Sequence, residues 1–314
     1  MSDITRRSFF TTAAAAAFIP SIAAASPQSN GEARGSAAVE KDIVFGKAGD
    51  VPLRLDVYRP PAGKANGMAT IHLHGGGFVG GSKDTLAARV APFAALGYTA
   101  IPVQYRLAGA AKWPAQIHDI KAAIRWTRAN AKSVGIDPEK IAVVGYSAGG
   151  HLALFAAGTM NRQEFEGNNG TPGAGTQLAA CCAYYAAADV RPQANGSPHV
   201  LLPAGADEAA HRAAAPATYI TKAFPPTVLF HGTADVTVPL DSSQRFFKQL
   251  LDAQVPAEFH IYEGVPHAFD SNADMAKAAA EAADFFMDRK VLHPRTYPPF
   301  GGGGGGGREG RGRP

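Results

Sequence analysis

Apolar residues in this chain fall into two alternating kinds of run. Short, mostly apolar blocks of a strand's length recur at Ala69–Leu73, Tyr98–Val103, Ile141–Val144, Leu178–Tyr185, Pro226–Phe230 and Glu258–Tyr262. Between and after them lie 83–95, Pro114 to about Ala131, Leu240–Leu251 and Ala273–Phe286, whose apolar residues return every three or four positions, and the almost wholly apolar His151–Ala157, which also reads as a helix. The first pattern is that of buried strands, the second that of helices with one apolar side. In the helix that Pro114 opens, Ile117, Ile120, Ala123, Ile124 and Thr127 share a face, and the other side reads as polar. Ahead of these, Lys41–Phe45 and Leu53–Tyr58 alternate around Gly49-Asp50, a hairpin signal. Strands and helices then alternate from 69 to 286, which predicts an α/β fold: a mostly parallel sheet with helices on both faces. Residues 161–177 read as a Gly- and Asn-rich loop. Residues 187–224 lack a sustained period and read as a small insertion over the sheet's carboxyl edge.

The ends have a different composition. Residues 26–40, rich in Ser, Gly and Ala, read as a linker, so the folded domain is expected over 41–293. Residues 294–314 carry seven consecutive glycines and several arginines, a tail too poor in apolar groups to offset the entropy of ordering. Residues 1–25 pair Arg6-Arg7 with a weakly apolar, Ala-rich middle and small residues before Ser26, which resembles a bacterial twin-arginine signal peptide. Export to the periplasm or beyond is the expectation. The apolar part is too short to anchor in a bilayer, so no stable membrane insertion is expected.

The chain's 314 residues, 46% of them apolar, can bury one large α/β core. The net charge of +4 is local: Arg6 and Arg7 against Asp3 supply +1, and Arg308, Arg311 and Arg313 against Glu309 supply +2, so the rest carries +1. A near-neutral body argues against a nucleic-acid partner. The two cysteines, Cys181 and Cys182, are adjacent in an apolar run, a spacing that suits neither a metal site nor a disulfide framework. Buried packing is the expectation, with a vicinal disulfide or a reactive thiol as the alternatives.

One stretch organises the chemistry. Ile141–Val144 runs into Gly145-Tyr-Ser-Ala-Gly149 and then into a helix, so Ser147 sits where a strand turns sharply into a helix. Such a turn presents the hydroxyl at the strand's carboxyl end, beside the free N–H groups of the helix start. A serine hydroxyl needs a base, and the base an orienting acid, both from the carboxyl ends of later strands. Asp235 lies just past Pro226–Phe230, and His267 just past Glu258–Tyr262, in the order Ser147, Asp235, His267. Asp241 rivals Asp235, but it opens a helix, where capping explains it; an Asx turn is the bland reading of Asp235 itself. His231 is expected to be buried, and His151 lies one turn into the helix behind the serine. The backbone N–H of Ala148, with Gly75 and Gly76 in the loop after Ala69–Leu73, would form an oxyanion hole. The same glycines match G-x-G-x-x-G, but the next strand ends Val103-Gln-Tyr-Arg106 without the carboxylate a dinucleotide site wants. No cofactor and no metal are expected.

With His74-Gly-Gly-Gly-Phe78, Tyr105-Arg-Leu-Ala108, Gly145-Tyr-Ser-Ala-Gly149, His231-Gly-Thr-Ala-Asp235 and Pro266-His267 together, the chain resembles α/β-hydrolase esterases over about 41–290. It looks most like bacterial enzymes of the hormone-sensitive-lipase and feruloyl/acetyl-xylan esterase type. The resemblance implies Ser147 as nucleophile, His267 as base, Asp235 as acid, and Gly75, Gly76 and Ala148 as the oxyanion hole. Phe78, Tyr146 and His151 are expected to touch substrate. Lipase-type relatives follow Tyr-Arg-Leu-Ala with a Pro-Glu segment, whereas this chain has Gly109-Ala-Ala-Lys-Trp113, which favours the secreted carbohydrate-esterase branch. Asp119 either supports the loop near the serine or lies on a solvated helix face, the latter being favoured. The expected function is a secreted serine esterase acting through an acyl-enzyme on short-acyl esters, such as acetyl or feruloyl esters of plant polysaccharide. A formamidase or peptidase with the same triad and a catalytically silent binding protein are the alternatives. The sequence sets no oligomeric state.

Overall fold

The computed structural model describes residues 38–191 and 199–297. The signal segment at 1–25, most of the linker and nearly all of the Gly-rich tail lie outside these residues. Strands β1 (Val39–Ala48), β2 (Val51–Tyr58), β3 (Ala69–Leu73), β4 (Thr99–Val103), β5 (Ile141–Tyr146), β6 (Ala180–Tyr184), β7 (Thr227–Gly232) and β8 (Ala257–Tyr262) form an eight-stranded sheet in the order β1-β2-β4-β3-β5-β6-β7-β8. The β1–β2 and β2–β4 pairs are antiparallel, and every other pair is parallel. The hairpin turns at Gly49-Asp50 as expected, but β1 begins at Val39, inside the stretch read as linker.

The helices are α1 (Ala87–Ala95), α2 (Ala115–Ala129), α3 (Ala131–Val134), α4 (Ala148–Gly158), α5 (Gln163–Glu166), α6 (Glu208–Ala214), α7 (Leu240–Asp252) and α8 (Ala273–Met287). Two apolar cores lie on the two faces of the sheet. One joins Val143, Cys181 and Leu229 to Ile120 and Ile124 of α2, Phe155 of α4 and Phe246 of α7. The other joins Val144, Cys182 and Phe230 to Val90 and Phe93 of α1 and Ala283 and Phe286 of α8. Strand side chains alternate between faces, so Cys181 and Cys182 point into opposite cores. Both are free and fully buried. Burial pushes the Cys182 thiol up to about 12. These are packing residues, and a vicinal pairing is ruled out by the pleat.

Helix α2 departs from its sequence pattern. Its apolar face meets the sheet, yet Asp119, Lys121 and Arg125 on the rest of its circumference are buried as well. The 161–177 segment covers that side: Glu166 accepts from Lys121 Nζ at 2.9 Å and from Arg125 Nη1 at 2.8 Å. Desolvation lowers the Lys121 ammonium from its ordinary value. Asp119, expected on a solvated face, is fully buried and accepts from the Arg106 N–H at 2.9 Å and from Arg106 Nε at 2.8 Å. It pins the loop after β4. The insertion contributes α6 and a small core of Val190, Leu202 and Ala214 against Trp113. Among the described residues, no helix is long and apolar enough to cross a membrane.

Candidate active site

The loops after β3, β5, β7 and β8 meet at the carboxyl edge of the sheet. β5 passes into α4 through Ser147, whose φ of 56° and ψ of −115° lie outside the regions a side chain favours. Holding such a torsion costs of the order of 1–3 kcal/mol. The surrounding close packing keeps it there. A Cβ on Gly149 would stand 2.1 Å from the Leu73 carbonyl oxygen of β3, so only glycine lets α4 start this near the sheet. The Ser147 N–H is tied to the Tyr184 carbonyl of β6 at 3.0 Å.

Ser147 Oγ lies 3.0 Å from His267 Nε2, and His267 Nδ1 lies 2.7 Å from Asp235 Oδ2. An ionised carboxylate only accepts, so Nδ1 carries the proton and Nε2 is left to accept from the serine hydroxyl. The Asp235 carboxylate divides its work. Oδ1 accepts from the N–H groups of Thr237 and Val238, both at 2.9 Å, which is the Asx-type turn. Oδ2 faces His267. The bland and the chemical readings of Asp235 therefore hold together, one on each oxygen. Asp241 opens α7, largely exposed, and pairs with Arg245.

His231, at the end of β7, is fully buried as expected, but it is not idle packing. Its Nε2 stands 2.9 Å from the Val238 carbonyl and 3.1 Å from Asp235 Oδ2. Both neighbours are acceptors, so Nε2 carries the proton and Nδ1 accepts from Ser243 Oγ at 2.8 Å. Two imidazoles thus share one carboxylate oxygen. Desolvation, partly offset by the bond to Val238 and the charge of Asp235, lowers the His231 imidazole from its ordinary value and keeps it neutral. A histidine next to a motif glycine carries no signal that an acid four residues on will fold back to it.

The loop after β3 supplies donors. Gly75 abuts the serine: a Cβ there would be 3.2 Å from Ser147 Cβ. Gly76 has φ 116°, and a Cβ on it would be 2.3 Å from the Gly80 carbonyl oxygen, which closes the loop on itself. Among the described residues, no protein acceptor takes the N–H of Gly75 or Gly76. Ala148 is the first residue of α4, so its N–H has no partner within the helix. Gly75 and Gly76 line a cleft of about 440 Å³ together with Ser147, His267, Tyr185 and Arg89. The His74 ring stacks on Tyr105 with centroids 4.1 Å apart, and Tyr105 Oη donates to the His74 carbonyl at 2.7 Å, holding the loop from behind. Burial depresses His74 to about 4.

The three side chains expected to touch substrate part company. Tyr146 lines the cleft, with its hydroxyl bonded to the His72 ring at 3.2 Å. Phe78 and His151 do not line it. Phe78 is packed edge-on against the rings of His151 and His199, and fully buried His151 donates from Nδ1 to the Ala187 carbonyl at 2.9 Å. Both are interior packing residues, turned toward His199 and the segment at Ala187. Absent from the sequence reading is a second carboxylate nearby. Asp270, in the turn before α8, is buried and accepts from Arg89 Nε at 2.8 Å and from Tyr185 Oη. The Tyr185 ring stands edge-on to His267, centroids 4.6 Å apart.

A serine hydroxyl, an imidazole and a carboxylate in a hydrogen-bonded row, beside unpaired N–H donors, can activate an oxygen nucleophile and stabilise the oxyanion it makes. Comparison with known proteins agrees in kind. The chain is 31% identical to the probable carboxylic ester hydrolase LipM of Mycobacterium tuberculosis over 74% of its length and 57% of that protein's. It is 29% identical to the esterase LipQ of the same organism, over 83% of this chain and 65% of the relative. The chain thus spans a little over half to two thirds of these relatives. Among solved structures, a thermophilic esterase from Thermogutta terrifontis superposes with a TM-score of 0.69 at 28% identity, covering 83% of this chain and 97% of the other. A truncated carbohydrate esterase from gut microbiota gives 0.68 at 25%, covering 79% and 99%. The sheet order and the neighbours together are those of the α/β-hydrolase fold. The BD-FAE family model matches residues 55–250, from β2 through the serine elbow and Asp235 into α7, and on that match the chain belongs to the BD-FAE family.

Proposed function

We propose that the protein is a serine esterase that hydrolyses short-acyl carboxylic esters by two-step acyl transfer. The observation that carries this reading is the row Ser147–His267–Asp235, with contacts of 3.0 and 2.7 Å, at the mouth of a cleft bordered by free N–H groups. In the first step Ser147 Oγ attacks the ester carbonyl carbon while its proton passes to His267 Nε2. The carbonyl π pair moves onto oxygen, where the N–H groups of Gly75, Gly76 and Ala148 receive it. The pair returns, the C–O bond to the alcohol breaks, and His267 gives its proton to the leaving oxygen. Water then repeats the sequence on the acyl-enzyme and releases the acid. Asp235 holds Nδ1–H and stabilises the imidazolium in both halves.

The modest cleft, about 440 Å³, favours small acyl groups. The Thermogutta terrifontis esterase is known with propionate and with butyrate bound, and phosphorylated by paraoxon. The carbohydrate-esterase neighbour supports an ester of plant polysaccharide as the natural substrate. Arg6-Arg7 and the Ala-rich stretch after it support twin-arginine export. A fluorophosphonate probe should label the wild-type protein and not Ser147→Ala; labelling of the variant would refute the nucleophile. Rates on p-nitrophenyl esters should fall steeply beyond short acyl chains, and acetylated xylan should release acetate. N-terminal sequencing of exported protein should begin near Ser26, and an intact Met1 there would refute processing.

A further inference from the structure

We propose that Arg89 is a recognition residue for a carboxylate carried by the ester substrate, so that the cleft prefers esters with a free acid group within reach of the scissile bond. This rests on the esterase reading above and concerns the same cleft.

Arg89 lies on α1, remote in sequence from every motif, yet it lines the cleft with Ser147 and His267. Its head group is held on two sides. Nε donates to Asp270 Oδ2 at 2.8 Å and Nη2 to Asp270 Oδ1 at 3.2 Å, a bidentate fork. The guanidinium carbon sits 5.3 Å above the ring centroid of Tyr146, the residue before Ser147. Asp270 is itself fixed, 2% exposed and bonded by the Tyr185 hydroxyl. A long, rotamer-rich side chain is thereby ordered before any ligand arrives, which removes much of the entropy cost of binding.

A guanidinium offers five N–H donors and no acceptor. The Asp270 fork uses two, and among the described residues no acceptor takes Nη1. The remaining donors suit an acceptor-only group. Among the described residues, Arg89 is the one formally charged side chain lining the cleft; the others are glycine, threonine, tyrosine, serine, histidine and alanine. The negative charge of Asp270 lies behind the guanidinium, not in the lining. Planar, forked donors on a half-buried arginine match a carboxylate better than the point charge of a lysine would. Hemiesters of dicarboxylic acids carry that group on the acyl side, and acyl esters of uronic or hydroxybenzoic acids carry it on the alcohol side.

The test compares kcat/KM for two matched pairs: 4-acetoxybenzoate against its methyl ester, and an aryl hemisuccinate against its methyl succinate counterpart. The anionic-to-neutral ratio should fall about 10- to 100-fold in Arg89→Met for at least one pair, chiefly through KM. Arg89→Lys should recover part of it. The pair that responds tells which side of the ester the acid occupies. The ratio does not depend on how much enzyme is folded. Because Arg89→Met strands the Asp270 charge, the double variant Arg89→Met/Asp270→Asn should show the same loss. Added salt should raise KM for the anionic ester in the wild type. If the wild type cleaves the neutral esters and the ratios are unchanged in every variant, the subsite is refuted and the esterase reading survives. If it cleaves neither member of either pair and Ser147 resists fluorophosphonate, both fall.

Discussion

Two buried carboxylates flank the same histidine, and they do different things with the same chemistry. Asp235 sits in the loop after β7, takes two backbone N–H groups on one oxygen and two imidazoles on the other. Asp270 sits before α8, takes a guanidinium fork and a tyrosine hydroxyl, and reaches His267 only through the edge of the Tyr185 ring. The first is wired to neutral partners, so its full negative charge is available to an imidazolium. The second is spent on holding a cation in place, so the pair presents the guanidinium's remaining donors to the cleft and keeps the carboxylate out of it. A carboxylate's role here is set by whether its partner is charged, more than by its burial.

Breaking the first arrangement should have the largest effect. Asp235→Asn should lower kcat by about 10⁴, by analogy with the loss when the orienting acid of such a row is made neutral. Asp241→Asn, on the exposed start of α7, should change it less than about twofold. Equal losses would move the acid to Asp241. Next, His231→Phe removes a donor to Asp235 and leaves Ser243 unmatched. A charge-assisted bond of about 1.5–3 kcal/mol predicts a loss of about 10- to 100-fold in kcat with KM little changed. A loss in folding alone would lower the active-site titre and leave kcat per active site intact, so titration with an organophosphate separates the two.

Asp270→Asn should have a smaller effect on rate, within about tenfold on neutral esters. Its mark should be on stability, by about 1–3 kcal/mol, because a half-buried guanidinium loses its counter-charge. A rate loss as deep as that of Asp235→Asn would erase the distinction between the two carboxylates. The smallest effect on chemistry, and a shared one, is titration of the scaffold. Burial depresses His72 to about 3, and His74 and His151 to about 4, against an ordinary 6.5. Below pH 6.5 the unfolded chain takes up protons that the folded one refuses, so stability is whole above that pH and declines as pH falls toward 4. The loss should already reach several kcal/mol at pH 5. Chemical denaturation at pH 7 and pH 5 measures it, and equal midpoints would refute it.

The strands and the long helices were legible because each buries a contiguous face, which leaves a period in the sequence. Ser147, Asp235 and His267 were legible because each lies at a fixed short distance past a strand end, within a local motif. What the sequence hid was contact across distance. Arg89 and Asp270 are 181 residues apart, and neither looks like more than a surface charge in its own helix or turn. Lys121, Arg125 and Asp119 have the spacing of a solvated helix face, and only the folded 161–177 segment and the Arg106 loop make them interior. Phe78 and His151 lie within the right motifs but turn away from the cleft, because adjacency along the chain does not say which wall a ring belongs to. The linker boundary missed Val39 because the first four residues of this edge strand are all exposed and carry no alternation.

The backbone at Ser147 sets reactivity against endurance. Its φ of 56° is comfortable for glycine and awkward for any residue with a side chain. Ser147→Gly should therefore be inert and yet melt about 2–4 °C higher than the natural protein, the relief of roughly 1 kcal/mol in a domain of this size. The peptide that does the work is the one the fold would soonest replace, and a screen that rewards heat resistance alone would be drawn to that position first.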